Sequence, residues 1–210
     1  PYDNTLKVVR ITGAQLRAYL EKSAEYYAGF PAPDGTVTNF DVPGYNFDVV
    51  SGVYYVMDIS RPAGARITRL TFEDRPVRDD DTFTLALNNY RQSGGGGYGM
   101  IADAPVIYDR QEDIRELLIE EVRRREVVRP EDSFVPSWRL VPDEAAVAAR
   151  AEQAAAEAAT PPAAAPAASN QQRKRLRVLA TNASHGRLAP EHPSWVDRAP
   201  LGGAAVLASY

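Results

Sequence analysis

The strongest constraint on this chain is a break in its side-chain inventory at Pro142. Before that residue, large apolar side chains recur in periodic patterns. From Asp143 to Asn170 the sequence is mostly alanine with Glu, Pro and Ser, and nothing bulky and apolar follows Val147. Burial of such groups offsets the conformational entropy lost on folding, so the alanine-rich stretch cannot form a core of its own. The expected organisation is one substantial domain over residues 1–142 and a partly helical Ala/Pro-rich linker over 143–175. A fresh strand at LRVLA, Leu176–Ala180, then opens a second domain over 176–210 that is too short to close a core.

Within the first part, LKVVRI (Leu6–Ile11) is rich in branched residues and reads as a buried strand. Leu16, Leu20, Ala24 and Tyr27 then share one helical face, until Gly29, Pro31, Pro33 and Gly35 interrupt it. VYYVMDI (Val53–Ile59) alternates with period two, and RITRLTF (Arg66–Phe72) resumes after a Pro62–Gly64 turn, which predicts a hairpin. TFTLAL (Thr82–Leu87) is a further strand. DIRELLIEEVRRR places Ile114, Leu117, Leu118 and Val122 at helical spacing, acid early and arginine late, in keeping with the macrodipole. The fold class is α+β: a mixed β-sheet domain with packed helices, ending near Trp138–Val141.

The formal charge of -4 comes from interspersed signs, which leaves no broad positive field to capture a nucleic-acid polymer. With no cysteine, disulfides and thiolate metal sites are excluded. No apolar run approaches the roughly 20 residues that span a bilayer. PYDNTLKVV contains no basic stretch leading into an apolar one, and a strand pattern begins almost at once, so the chain is expected to be a fragment of a longer polypeptide.

The strand ending at Leu87 delivers NNYRQSGGGGYGM, which sets one tyrosine, Tyr98, among five glycines. Gly94, Gly96 and Gly99 satisfy the dinucleotide pattern G-x-G-x-x-G, but MIADAPVIYD after them lacks helical periodicity and contains Pro105, so the helix that would meet a pyrophosphate is not expected. No Lys-Ser or Lys-Thr follows, which excludes a P-loop. A plain surface turn is one reading. The other is a bare backbone that lets a flat ligand approach while Tyr98 supplies a stacking face, with Tyr2, Tyr45 or Phe47 as a second face.

Three separated blocks, YDNTLKVVRITGAQLRAYLEKSA, GYNFDVVSGVYYVMDISRPAGARI and TFTLALNNYRQSGGGGYGMI, together with SWRLVP, resemble the C-terminal domain of the 5'-nucleotidase family, and especially the branch of bacterial 2',3'-cyclic-nucleotide 2'-phosphodiesterases. The resemblance covers residues 1–142, truncated at the N-terminus. It implies the nucleoside-binding portion of a metal-dependent nucleotide phosphohydrolase of nucleotide catabolism, with the base clamped between two rings. By the same resemblance, Tyr98 falls on the ring of the glycine loop, beside Gly96 and Gly97. Tyr2 is similar to the tyrosine that precedes the first strand, and Asp103 to an acidic residue that accepts from a base edge. The implied partners are a nucleotide or nucleoside and a separate catalytic domain of the same polypeptide, in the periplasm, at the cell surface or secreted. A binding or scaffold module that keeps the fold without the ligand is the alternative.

The tail RLRVLATNASHGRLAPEHPSWVDRAPLGGAAVLASY is similar to the opening of that family's metallophosphoesterase domain, where Asn-Asp-x-His-Gly contributes metal ligands. Asn182, His185 and Gly186 match, but Ala183 stands in the aspartate position, and a methyl group cannot replace an anionic oxygen on a divalent cation. His185 is therefore a degenerate metal position. With two histidines in all, the chain is expected to hold no metal pair and no catalytic residue of its own; the two divalent ions implied by the resemblance belong to a catalytic domain elsewhere in the parent.

Overall fold

The computed structural model describes residues 4–159, apart from 34, 126 and 133. Its centre is β1 (Thr5–Thr12), flanked on both sides by antiparallel partners, β5 (Thr82–Asn88) and β6 (Val106–Asp113). β1 pairs with β5 without a slip from Leu6↔Asn88 to Thr12↔Thr82. β6 joins it with two register irregularities. A second sheet has the order β4-β3-β2-β7, built from β2 (Tyr54–Asp58), β3 (Ile67–Phe72), β4 (Arg75–Pro76) and β7 (Trp138–Val141). The β2–β3 pair is the expected antiparallel hairpin, whereas β7 lies parallel to β2.

Helix α1 (Gly13–Ala24) starts where β1 stops because Thr12 and Gln15 cap each other. The Gln15 N–H donates to Thr12 Oγ1 at 3.1 Å and the Thr12 N–H to Gln15 Oε1 at 2.9 Å. Gly13 is obligatory there: a Cβ would lie 2.0 Å from the Arg78 carbonyl oxygen. Leu16, Tyr19, Leu20, Ser23 and Ala24 form the buried face, as the 3.6-residue spacing predicts. Past the other end, the Arg66 guanidinium donates to the carbonyls of Ala24 (2.7 Å), Tyr27 (2.6 Å) and Ala28 (3.2 Å), which ties the chain that leaves α1 to the start of β3.

After β5 the chain makes a single helical turn, α2 (Asn89–Gln92), then the glycine loop, a short 3-10 turn over Gly99–Ile101, and β6. No α-helix opens at Gly99, so the geometry of a dinucleotide-binding fingerprint is not formed. Helix α3 (Ile114–Arg125) follows β6 as its periodicity predicts.

The alanine-rich stretch differs from a free linker. Residues Asp143–Ala159 form α4, whose Ala145, Ala146 and Ala149 are buried in the hydrophobic core. Small side chains let this helix lie close to the sheet. Farther along, the Glu152 carboxylate accepts from the backbone N–H groups of Val37 (2.5 Å) and Thr38 (3.1 Å). The first part of the expected linker is thus docked on the domain, while its remainder and the strand expected at Leu176–Ala180 lie outside the described residues.

Candidate functional site

The corner at the end of β5 is assembled by two asparagines. Asn88 caps α2, its Oδ1 accepting from the Arg91 N–H at 2.7 Å. Asn89 Oδ1 accepts from the Thr5 N–H at 3.2 Å, which ties α2 to the first residue of β1. Tyr90, between them and Arg91, is 48 % exposed.

Arg91 turns inward and is 2 % exposed. Its Nε donates to Asp48 Oδ2 at 2.6 Å and its Nη2 to Asp48 Oδ1 at 2.9 Å, a two-pronged ion pair. The remaining donors reach the carbonyls of Tyr45 (2.6 Å) and Gly95 (3.1 Å) and Asn46 Oδ1 (3.2 Å). Asp48 also accepts from the Tyr19 hydroxyl at 2.5 Å, while its backbone exchanges two hydrogen bonds with the Ser23 hydroxyl. Burial lowers the guanidinium pKa, but hydrogen bonding and the charge of Asp48 outweigh it, and the net shift is upward. The result is a permanently charged cation welded to the segment 45–48.

Tyr98 completes this network from within. It is 0 % exposed; the Tyr19 ring lies 4.4 Å away between centroids, the Arg91 Cζ sits 4.4 Å from the Tyr98 centroid, and its hydroxyl donates to the Asn46 carbonyl at 2.8 Å. Burial, then the nearby Asp48 carboxylate, pushes the phenol well above its ordinary pKa, and Tyr19 is raised by the same two causes. This corrects the stacking role expected of Tyr98, because a ring enclosed in this way offers no face to a base.

The glycines around it serve the same enclosure. Gly96 (φ +71°) would drive a Cβ to 2.3 Å from Asn46 Oδ1 and 2.4 Å from Arg91 Nη1; at Gly97 (φ +88°) it would meet Lys22 Cε at 2.7 Å. Both therefore face protein atoms, and close packing over Arg91, Asn46 and Lys22 accounts for their bareness. Of the other ring candidates, Phe47 is buried against Tyr26, Tyr27 and Trp138, and Tyr45 is exposed. Asp103 is exposed three residues before β6. Tyr2, Ala183 and His185 lie outside the described residues.

The Arg91–Asp48 pair and the exposed Tyr90 are what sequence reasoning missed. Nothing local marks two oppositely charged residues so far apart as partners, although an arginine just past a buried strand, ahead of glycines, was the available hint. Among the described residues no group of three His, Cys, Asp or Glu could hold a metal ion. Nor is any helix among them long and apolar enough to cross a membrane.

Residues 1–103 match the family described as 5'-nucleotidase, C-terminal domain. The chain is 30% identical over 156 residues to the trifunctional nucleotide phosphoesterase protein YfkN of Bacillus subtilis, covering 67% of this chain and 10% of that protein. It is 33% identical over 161 residues to the 2',3'-cyclic-nucleotide 2'-phosphodiesterase/3'-nucleotidase of Haemophilus influenzae, covering 67% of this chain and 24% of that protein. Among solved structures, one from Staphylococcus aureus described as a 5'-nucleotidase superposes with a TM-score of 0.59 at 32% identity, over 67% of this chain and 28% of the other. The chain thus spans a quarter or less of the curated relatives it matches.

Proposed function

Because this chain carries a domain of the 5'-nucleotidase C-terminal family, we propose that it holds the nucleoside part of a nucleotide for a phosphate-ester-hydrolysing domain of the same polypeptide. The observation that carries this reading is a division of labour between α2 and the glycine loop after it: Tyr98 is sealed inside, and Tyr90, eight residues earlier, keeps an exposed ring. Tyr90 is the face on which a base stacks. Tyr2 is assigned the opposing face by its likeness to the tyrosine that precedes the first strand in the family. Asp103, exposed after the loop, accepts from the edge of the base.

In this role the domain contributes orientation. Binding energy gained at the base, remote from the scissile bond, holds the phosphate ester where the catalytic domain can attack it. The metal ions that activate water belong to that other domain, and the reaction takes place outside the cytoplasm.

Adenosine titrated into the 210-residue chain, followed by tyrosine fluorescence, tests the reading. Saturable quenching that Tyr90→Ala abolishes supports it. Absence of quenching at millimolar adenosine would instead favour a module that keeps the fold and has lost the ligand.

A further inference from the structure

Tyr90 is not simply left in solvent; the loop that follows it is shaped to the ring. A Cβ on Gly95 would lie 2.5 Å from Tyr90 Cε2 and 2.6 Å from both Cδ2 and Cζ, so the Gly95 Cα rests directly against the ring. The Gly95 carbonyl in turn accepts from Arg91 Nη1 at 3.1 Å, and the Arg91 Cζ lies 5.4 Å from the Tyr90 centroid. The guanidinium is held by Asp48 through two further bonds, so neither the cation nor the carbonyl it grips is free to move.

We infer that Gly95 and Arg91 are positioning residues that brace the Tyr90 ring from behind and so preset the plane on which the base stacks. The inference rests on the stacking reading above. An unbraced exposed tyrosine rotates about χ1 and χ2 and loses that freedom on binding; a braced one has lost it already, and the gain appears as affinity. Arg91 does this from a buried position: the same cation lies 4.4 Å from the Tyr98 centroid, so one group joins the interior ring to the exposed one.

Gly95 offers the cleaner probe. Unlike Gly94, Gly96 and Gly97, it does not occupy the left-handed region, and the atoms a Cβ would meet belong to a half-exposed side chain that can swing aside. Gly95→Ala should therefore fold normally and displace the ring.

The experiment compares adenosine affinity for the full chain, Tyr90→Ala, Tyr90→Phe and Gly95→Ala, with thermal melting of each. A ring-current upfield shift of the Gly95 Hα resonance in the ligand-free chain serves as the direct signature of bracing. The expected result is a loss of at least about five-fold in affinity for both Tyr90→Ala and Gly95→Ala, with Tyr90→Phe near the unaltered chain and Gly95→Ala melting unchanged. Loss in Tyr90→Ala with full affinity in Gly95→Ala overturns the bracing and leaves the stacking intact. No loss in Tyr90→Ala overturns both. Should Gly95→Ala fail to fold, an Hα resonance at its ordinary position in the unaltered chain refutes the contact.

Discussion

The Arg91 guanidinium lies over the Tyr98 ring, 4.4 Å from its centroid, while bonding both oxygens of Asp48. A cation and an aromatic face removed together from water attract each other more strongly than at a surface. The contact makes the glycine loop part of the core.

Truncating that ring should accordingly act on stability. Tyr98→Ala is expected to cost about 3–5 kcal/mol, the range for removing a large buried aromatic side chain. Tyr98→Phe removes the hydroxyl that donates to the Asn46 carbonyl and should cost about 1–3 kcal/mol. Urea denaturation of the full chain measures both, and a Tyr98→Ala midpoint equal to that of the unaltered chain would contradict the buried placement.

Breaking the Arg91–Asp48 pair from either side should be severe. Asp48→Ala leaves a buried cation without its anion, and Arg91→Met leaves the anion, each expected to cost about 3–5 kcal/mol. The double variant should cost less than the sum of the two singles, which a double-mutant cycle in denaturant reads directly.

Alkaline pH should unfold the domain through its buried phenols. Tyr19, Tyr27, Tyr55 and Tyr98 all have pKa values raised above the ordinary 10, foremost by burial. An acid whose pKa is higher folded than unfolded contributes stability that is fully present below the unfolded value, about 10, and lost as pH rises towards the folded one. Absorbance at 295 nm should therefore rise in two stages, the exposed tyrosines first and the buried four only as the circular dichroism of the fold collapses.

Glu152 should matter although it is a single carboxylate on an alanine-rich helix. It accepts from two backbone donors of the segment 37–38, and Glu152→Ala orphans both, with an expected cost of about 1–3 kcal/mol. Glu152→Gln keeps one acceptor oxygen and should cost less. Faster amide hydrogen exchange at Val37 and Thr38 in the Ala variant is the local signature.

Much of the framework was legible wherever one face of an element is buried. β1, α1, the β2–β3 hairpin and β5 follow from apolar spacing, since burial on one side is what creates a period, and α3 follows from the same spacing although only its first residue, Ile114, is fully buried. β6 was not read, because VIYDRQED forms the edge of its sheet, is exposed along most of its length and carries four charges. α4 was read as a helix without a partner; an alanine stripe reveals its docking only once the surface that needs small side chains is known. At the candidate site, the glycines drew attention to Tyr98, the ring they conceal, and away from Tyr90, which lies outside them. Positive φ and contacts with Lys22, Asn46 and Arg91 explain that bareness, and all three come from packing that no local pattern encodes.

β7 has a bearing on how the molecule comes into being. It lies alongside β2 in parallel, Tyr55 opposite Trp138, which puts the partners 138 − 55 = 83 residues apart. A chain emerging from the ribosome thus presents one flank of β2 unpaired until almost the whole domain has been synthesised, and the closing of that sheet waits on the slowest kind of contact to find. Any truncation before Trp138 leaves an open edge to which another nascent chain can add.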